Sequence, residues 1–338
     1  MKKALLFAVS GIFFAASAVA DTPTIVASTY GFNQQAFRER LFDPFEKECG
    51  CKVVVEVGNN AGRLAKLKAN KSNYDLAVFA DFGAREVADL GLIQPIDVSK
   101  LSNYGKIYDF AKDPIGGNLA VGYTTYSTSL VYRTDKIEKV ESWNDLFSDT
   151  VKGRVAIPNI STTQGPLILH MLSKAMGKTN VDFADAIARL GSSKDDIVTF
   201  YERSSQLITL FAQDEVWMAP VGRFAWGRLL KTGMPLGWSI PKEGQTGGMN
   251  VMVMVKGTEH PDLVLKLMDK WLSTEVQTSL AEGLIDSPVN KEVKVDAKTA
   301  ELLTYGSEQI DAIDFLPAAT ILEQREGWVK AWNQGIAN

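Results

Sequence analysis

The chain is 338 residues long, more than one hydrophobic core usually supports, so two lobes are expected. Hydrophobic residues make up 46% and charged residues 22%, which excludes a disordered chain and a multi-span membrane protein. The formal charge of −4 argues against nucleic acid as a partner.

At the N-terminus, Lys2 and Lys3 precede an apolar run over 4–16, and Ala18-Val19-Ala20 stands before Asp21. This is the pattern of a secretory signal peptide over 1–20, cut after Ala20, and it predicts export to the periplasm. The run is too short to span a bilayer, and no cysteine stands at the cut to carry a lipid anchor. Cleavage leaves 34 basic residues against 40 acidic, a formal charge of −6. Both cysteines, Cys49 and Cys51, survive it, and an oxidising compartment leaves them to pair across Gly50 or stay free.

Past the cut, 24–28 reads as a strand, 30–33 as a loop, and Phe37, Leu41 and Phe45 as one helix face that Pro44 breaks or kinks. KVVVEV (52–57) and DLAVFA (75–80) are further strands, with a helix between them. The βαβαβ order predicts a parallel sheet whose ligand-facing loops follow the strand ends, at 30–33, 58–62 and 81–83. Two short β runs, 119–123 and 129–132, flank the polar segment 124–128, which suits a lobe-crossing hinge. Ser142 and Asp145 have capping-box spacing.

A second sheet starts at 154–158. It leads through Ser161, Thr162 and Thr163 into an apolar helix over 167–176. Hydroxyls there cap the helix, cradle an anion, or do both. Helices are expected over 182–190 and 201–213. Segment 214–256 then reads as strand (216–219), turn, short helix, strand (236–240), loop (244–250) and strand (251–255). Its turn at 220–223 carries Arg223, and its loop ends at Asn250. Helices from 260 to 282 and from 317 to 336 complete the chain.

With no G-x-S-x-G, no H-E-x-x-H and only His170 and His260, the sequence predicts neither an enzyme nor a metal site, and it calls for no cofactor. An exported two-lobed α/β chain with a polar crossing is a candidate solute-binding protein. The run Phe45-Glu46-Lys47-Glu48-Cys49-Gly50-Cys51-Lys52-Val53 resembles a signature of the spermidine/putrescine-type binding proteins of ABC transporters. So do Tyr74-Asp75-Leu76, Gly91 to Asp97, Ser142 to Leu146, and Pro241 to Gly244, in the same order along the chain.

The resemblance implies an α/β, two-lobed periplasmic-binding-protein fold of type II, each lobe a mostly parallel sheet flanked by helices, with ligand in the cleft between them. It places lobe 1 at 21–124 plus 251–298 and lobe 2 at 129–250 plus 299–338, with crossings near 124–129 and 247–252. The partners it implies are a small solute and ABC permease subunits, the protein being a monomer. Carried over position by position, the family's contacts fall on Tyr30, Phe82, Thr162, Thr163 and Asn250; Phe32 and Asp81, in strand-end loops, and Arg223, in the turn at 220–223, complete the expected ligand contacts. The family's acidic pair is replaced here by Thr162, Thr163 and Gln164, and its Trp and Asp by Gly248 and Asn250. With Arg223 close by, these exchanges favour a small zwitterion or anion, with Asp81 pairing any amine. A polyamine and a ferric ion are the alternatives; Arg223 as surface charge and Asp81 as helix cap are the plain structural readings.

Overall fold

The computed structural model describes residues 22–70 and 73–336, so the expected signal peptide lies outside the described residues. Twelve strands form one mixed sheet: β1 (Thr24–Thr29), β2 (Lys52–Val57), β3 (Leu76–Ala80), β4 (Ile93–Gln94), β5 (Val121–Arg133), β6 (Val155–Pro158), β7 (Ile197–Tyr201), β8 (Met218–Gly222), β9 (Leu236–Ser239), β10 (Gln245–Val255), β11 (Ser287–Pro288) and β12 (Ile313–Phe315). The main order is β2-β1-β3-β10-β5-β8-β6-β7. At one end β1 lies parallel to β2 and β3, and at the other β6 lies parallel to β7 and β8. Between these blocks β10 runs antiparallel to β3 and β5, and β5 antiparallel to β8. Apolar runs make the outer blocks because a parallel strand covered on both faces needs no polar side; every residue of β3 is buried.

The register fixes where the strand ends point. Ala80, at the carboxyl end of β3, pairs with Asn250, which pairs with Thr124 on β5. Gly222, at the carboxyl end of β8, pairs with Thr128 on the same strand. The carboxyl ends of the two blocks therefore face each other across residues 124–128 of β5. At about 3.3 Å per residue this is a gap of roughly 13 Å. Loops at such ends are where α/β sheets place ligands.

Each block has its own core. The first joins β1, β3 and the end of β10 to helix Pro261–Leu272, whose Val264, Leu267, Met268 and Trp271 share one buried stripe. The second gathers helix Gly165–Ala175, helix Ala184–Ser192 and the terminal helix Ala318–Gly335, with the Phe183 and Trp328 rings stacked 4.6 Å apart. Strand β5 contributes Val121 and Tyr123 to the first core and Tyr126 and Leu130 to the second.

Several expectations change. The polar segment 124–128 is no break between two strands but the middle of β5. Two of its buried hydroxyls bond carbonyls of neighbouring strands, Thr124 to Ser287 O (2.9 Å) and Thr125 to Gly248 O (3.1 Å), as does Ser129 just beyond it to Ser239 O (2.6 Å), while Thr128 Oγ1 is buried without a partner among the described residues. The expected loop over 244–250 is strand from Gln245 onward. It needs Gly247 there, because a Cβ would stand 2.3 Å from Tyr126 O. Strand β7 occupies the start of the helix expected over 201–213, and the helix itself is Gln206–Ala212. Pro44 does not break its helix: a π-turn over Arg38–Phe42 precedes it, and it sits in the first turn of Asp43–Cys49, where its missing N–H costs least. Cys49 and Cys51 form a disulfide around Gly50, which closes that helix in the left-handed region at φ 62°.

Candidate ligand-binding cleft

Loops from both blocks meet over the middle of β5. Phe32, from the loop after β1, stands edge-on to Phe224 at 5.9 Å, and Phe224 stands edge-on to Tyr126 at 5.3 Å. Tyr126 is 4% exposed, and burial pushes its hydroxyl well above the phenol range, helped by the charges of Asp81 and Tyr30; a hydrogen bond with Thr163 acts against this. Tyr126 thus marks the point where Tyr30 and Asp81, from the first block, approach Thr163, from the second. A Cβ on Gly248 would lie 2.6 Å from the Tyr126 hydroxyl, so the two share a face. Asn250, two residues along the strand, shares it by the alternation of β10.

Asp81 opens helix Asp81–Asp89 directly after β3. Its Oδ1 accepts the Phe82 N–H at 2.8 Å from the first position of the helix, Ala80 being the N-cap, where a negative charge suits the helix dipole. Burial outweighs that hydrogen bond and pushes the carboxyl up to about 6. Asp286 repeats the situation next to β11. Its Oδ2 is buried without a hydrogen-bond partner, burial raises its carboxyl well above the usual range, and its charge reaches Tyr123. Among the described residues no cation pairs with either acid. With no counterion to hold them low, both carboxyls are raised by burial, which favours their neutral form.

The nearby cations are already engaged. Arg63 is 1% exposed; it donates to Ser28 Oγ and Gly58 O at 2.8 Å each and to Val78 O, and its guanidinium lies 4.6 Å from the Tyr30 ring centre. Tyr30 is held in turn by Asn60, whose Oδ1 accepts the phenol at 2.7 Å. Arg223 donates to Glu301 O and lies flat on Trp238 at 4.3 Å, while burial lowers its pKa to about 10. Of the expected contacts, then, Tyr30, Asp81, Thr163 and Asn250 come together around Tyr126. Phe32 is packed between Phe224 and Arg228, and Phe82 is buried under Arg325. Thr162 is a helix-start residue: it donates to Asn159 O at 2.7 Å and accepts from Gly165 N at 3.1 Å. Arg223 has one end of its guanidinium on Glu301 O and lies over Trp238, with Nε buried and without a partner among the described residues.

Sequence reasoning passed over Tyr126, Asp286 and Asn60. Each carried a faint signal: one aromatic in a run of threonines and serines, one acid in the apolar stretch GLIDSPV, and one amide within the ligand-facing loop expected over 58–62. Among the described residues no group of three or more His, Cys, Asp or Glu could hold a metal ion, and no helix is long and apolar enough to cross a membrane.

Comparison with known proteins follows the same lines. The chain is 24% identical over 334 residues to a putrescine/cadaverine-binding protein of Pseudomonas aeruginosa, covering 90% of each chain. It is 25% identical over 252 residues to the spermidine/putrescine-binding periplasmic protein of Escherichia coli, covering 72% of each. A solved ABC transporter structure from Clostridium perfringens superposes with a TM-score of 0.77 at 30% identity, over 92% of this chain and 99% of that one. A sequence model of the bacterial extracellular solute-binding protein family matches residues 40–304. The chain belongs to that family, as a solute-binding component of an ABC transporter and not an enzyme.

Proposed function

We propose that the protein captures a small solute bearing an ammonium group, most simply a zwitterion, and delivers it to an ABC permease. Its lobes are then 21–124 plus 251–298 and 129–250 plus 299–338, closing as a monomer over the crossings near 124–129 and 247–252. The single observation behind the ligand class is the Asp81 carboxyl, half-buried at the end of β3 with no cation beside it. A carboxylate left in that state gains most from an ammonium that brings both charge and N–H donors. Rings around it (Tyr30, Tyr126) suit the methylenes next to such a group. Thr163 and Asn250 supply neutral hydrogen-bonding groups for the remainder of the solute.

Ligand binding that bridges both walls selects the closed arrangement over the open one. A second reading, a diamine, is favoured by Asp286, because two unpaired acids suit two ammonium ends. It also fits the relatives that bind putrescine, cadaverine and spermidine. Isothermal titration with ω-amino carboxylates, α,ω-diamines and dicarboxylates of matched length separates the readings. Amine-bearing solutes should release heat, and Asp81→Asn should weaken their binding by about 10- to 100-fold. Binding of dicarboxylates alone sinks both.

A further inference from the structure

A cavity of about 200 Å³ opens between helix Asn60–Lys68, helix Asp81–Asp89 and the terminal helix Ala318–Gly335. Leu64, Phe79 and Phe82 give it apolar walls, and Asn60, Lys68, Glu86 and Arg325 bring polar groups to it. Three features define its chemistry. Among the described residues Arg325 makes no hydrogen bond or ion pair; its guanidinium lies 5.5 Å from the centre of the Phe82 ring. The Asn60 amide has its orientation set by two donors, because Oδ1 accepts both the Tyr30 hydroxyl at 2.7 Å and the Ala80 N–H at 3.3 Å. Its Nδ2 must therefore point the other way, toward Gly83, where it is buried without a partner. Lys68 and Glu86 face each other at 3.8 Å and offset one another, which leaves Arg325 to set the sign of the cavity.

An apolar hollow with two unmatched donors is complementary to an oxyanion at the end of a short hydrocarbon chain. The same helix that lines it begins with Asp81, the acid proposed above to pair an ammonium. Resting on the zwitterion reading above, we infer that Arg325 and Asn60 form the subsite for the solute's anionic end, a carboxylate or another oxyanion. A guanidinium laid along a ring keeps its N–H edge free, so the contact with Phe82 orients Arg325 without consuming it. Arg223, fixed to Glu301 and Trp238, is the group this assignment replaces.

The test is calorimetric titration of the purified protein and its variants with ω-amino carboxylates of two to six carbons, 2-aminoethylphosphonate and diamines of the same lengths. Arg325→Gln should weaken the oxyanion-bearing probes about tenfold or more and leave diamines within about twofold, as expected for loss of one charge-assisted contact. Arg325→Lys should recover part of the loss. Equal weakening of both probe classes, or no weakening of either, overturns the assignment. If the unsubstituted protein binds diamines only, the subsite is wrong while the role of Asp81 stands; if Asp81→Asn leaves amine binding intact, it is the Asp81 reading that falls. Heat from none of the probes overturns both. Should Arg325→Gln fail to fold, Asn60→Asp makes the same comparison, since it keeps the oxygen that Tyr30 and Ala80 need and replaces the free donor with negative charge.

Discussion

The two sides of the cleft hold their charges in opposite states. Around the first core, Asp81 and Asp286 are carboxylates without counterions. On the second side Arg223 has one bond to a carbonyl and a ring contact, with Nε still unpartnered, whereas behind the first wall Arg63 has three oxygen acceptors and two rings. A buried charge whose hydrogen bonds are complete belongs to the architecture; one left incomplete is available to a ligand. Residue type does not separate the two classes here, because Arg63, inside helix Asn60–Lys68, and Asp81, at the start of helix Asp81–Asp89, are both ionisable.

The strongest challenge to this division is Arg63→Met. It leaves the Ser28 hydroxyl and the Val78 and Gly58 carbonyls without their donor, so chemical denaturation should show a loss of about 2–4 kcal/mol. Next comes Asp81→Asn, which should weaken amine-bearing solutes by about 10- to 100-fold in calorimetry. The same change should stabilise the unliganded protein at pH 7.5 by about 1–3 kcal/mol, since the buried charge is removed while the contact with Phe82 N–H is kept. Stability gained as binding is lost would mark Asp81 as a ligand group; stability lost would return it to a structural cap.

The pH dependence sharpens the point. The native carboxyl of Asp81 titrates near 6, above its value of about 3.9 in an unfolded chain. Between those values the native state holds the proton more tightly, so the unliganded protein should lose stability as pH rises from about 4 through 6. Affinity for an ammonium solute should move the other way, falling as pH drops below about 6. Urea titrations and calorimetry at matched pH would register both trends, and parallel trends would contradict the assignment. A smaller effect is expected for Thr162→Ala, about 1 kcal/mol of stability with affinity unchanged, because its hydroxyl serves the start of helix Gly165–Ala175. Arg223→Gln should change affinity by less than about threefold.

Much of this was legible in the chain. Runs such as KVVVEV and LAVFA declare themselves as strands, and Tyr30, Asp81 and Thr163 follow strand ends, where a parallel block must expose its loops. The middle of β5 was not legible, because threonine and serine runs are ordinary loop material. Only the carbonyls of Ser287, Gly248 and Ser239 make them good strand residues. The direction of the Arg223 guanidinium depends on Glu301, far along the chain, and no local pattern contains it. Tyr126 reaches the cleft through register, the property that single-sequence reading reaches last.

The pairing of β5 with β10 carries one irregularity: Asn250 faces Thr124 while Val251 faces Gly122, so Tyr123 stands opposite nothing. An extra residue of this kind bends and twists a strand without cutting it. The connection between the halves is therefore continuous hydrogen-bonded ribbon with one irregularity, and the charge of Asp286 acts on Tyr123 at that place. On the function proposed above, a solute that neutralises Asp286 would act on this bent element itself, and closure would flex β5 and β10 rather than turn about a break in the chain.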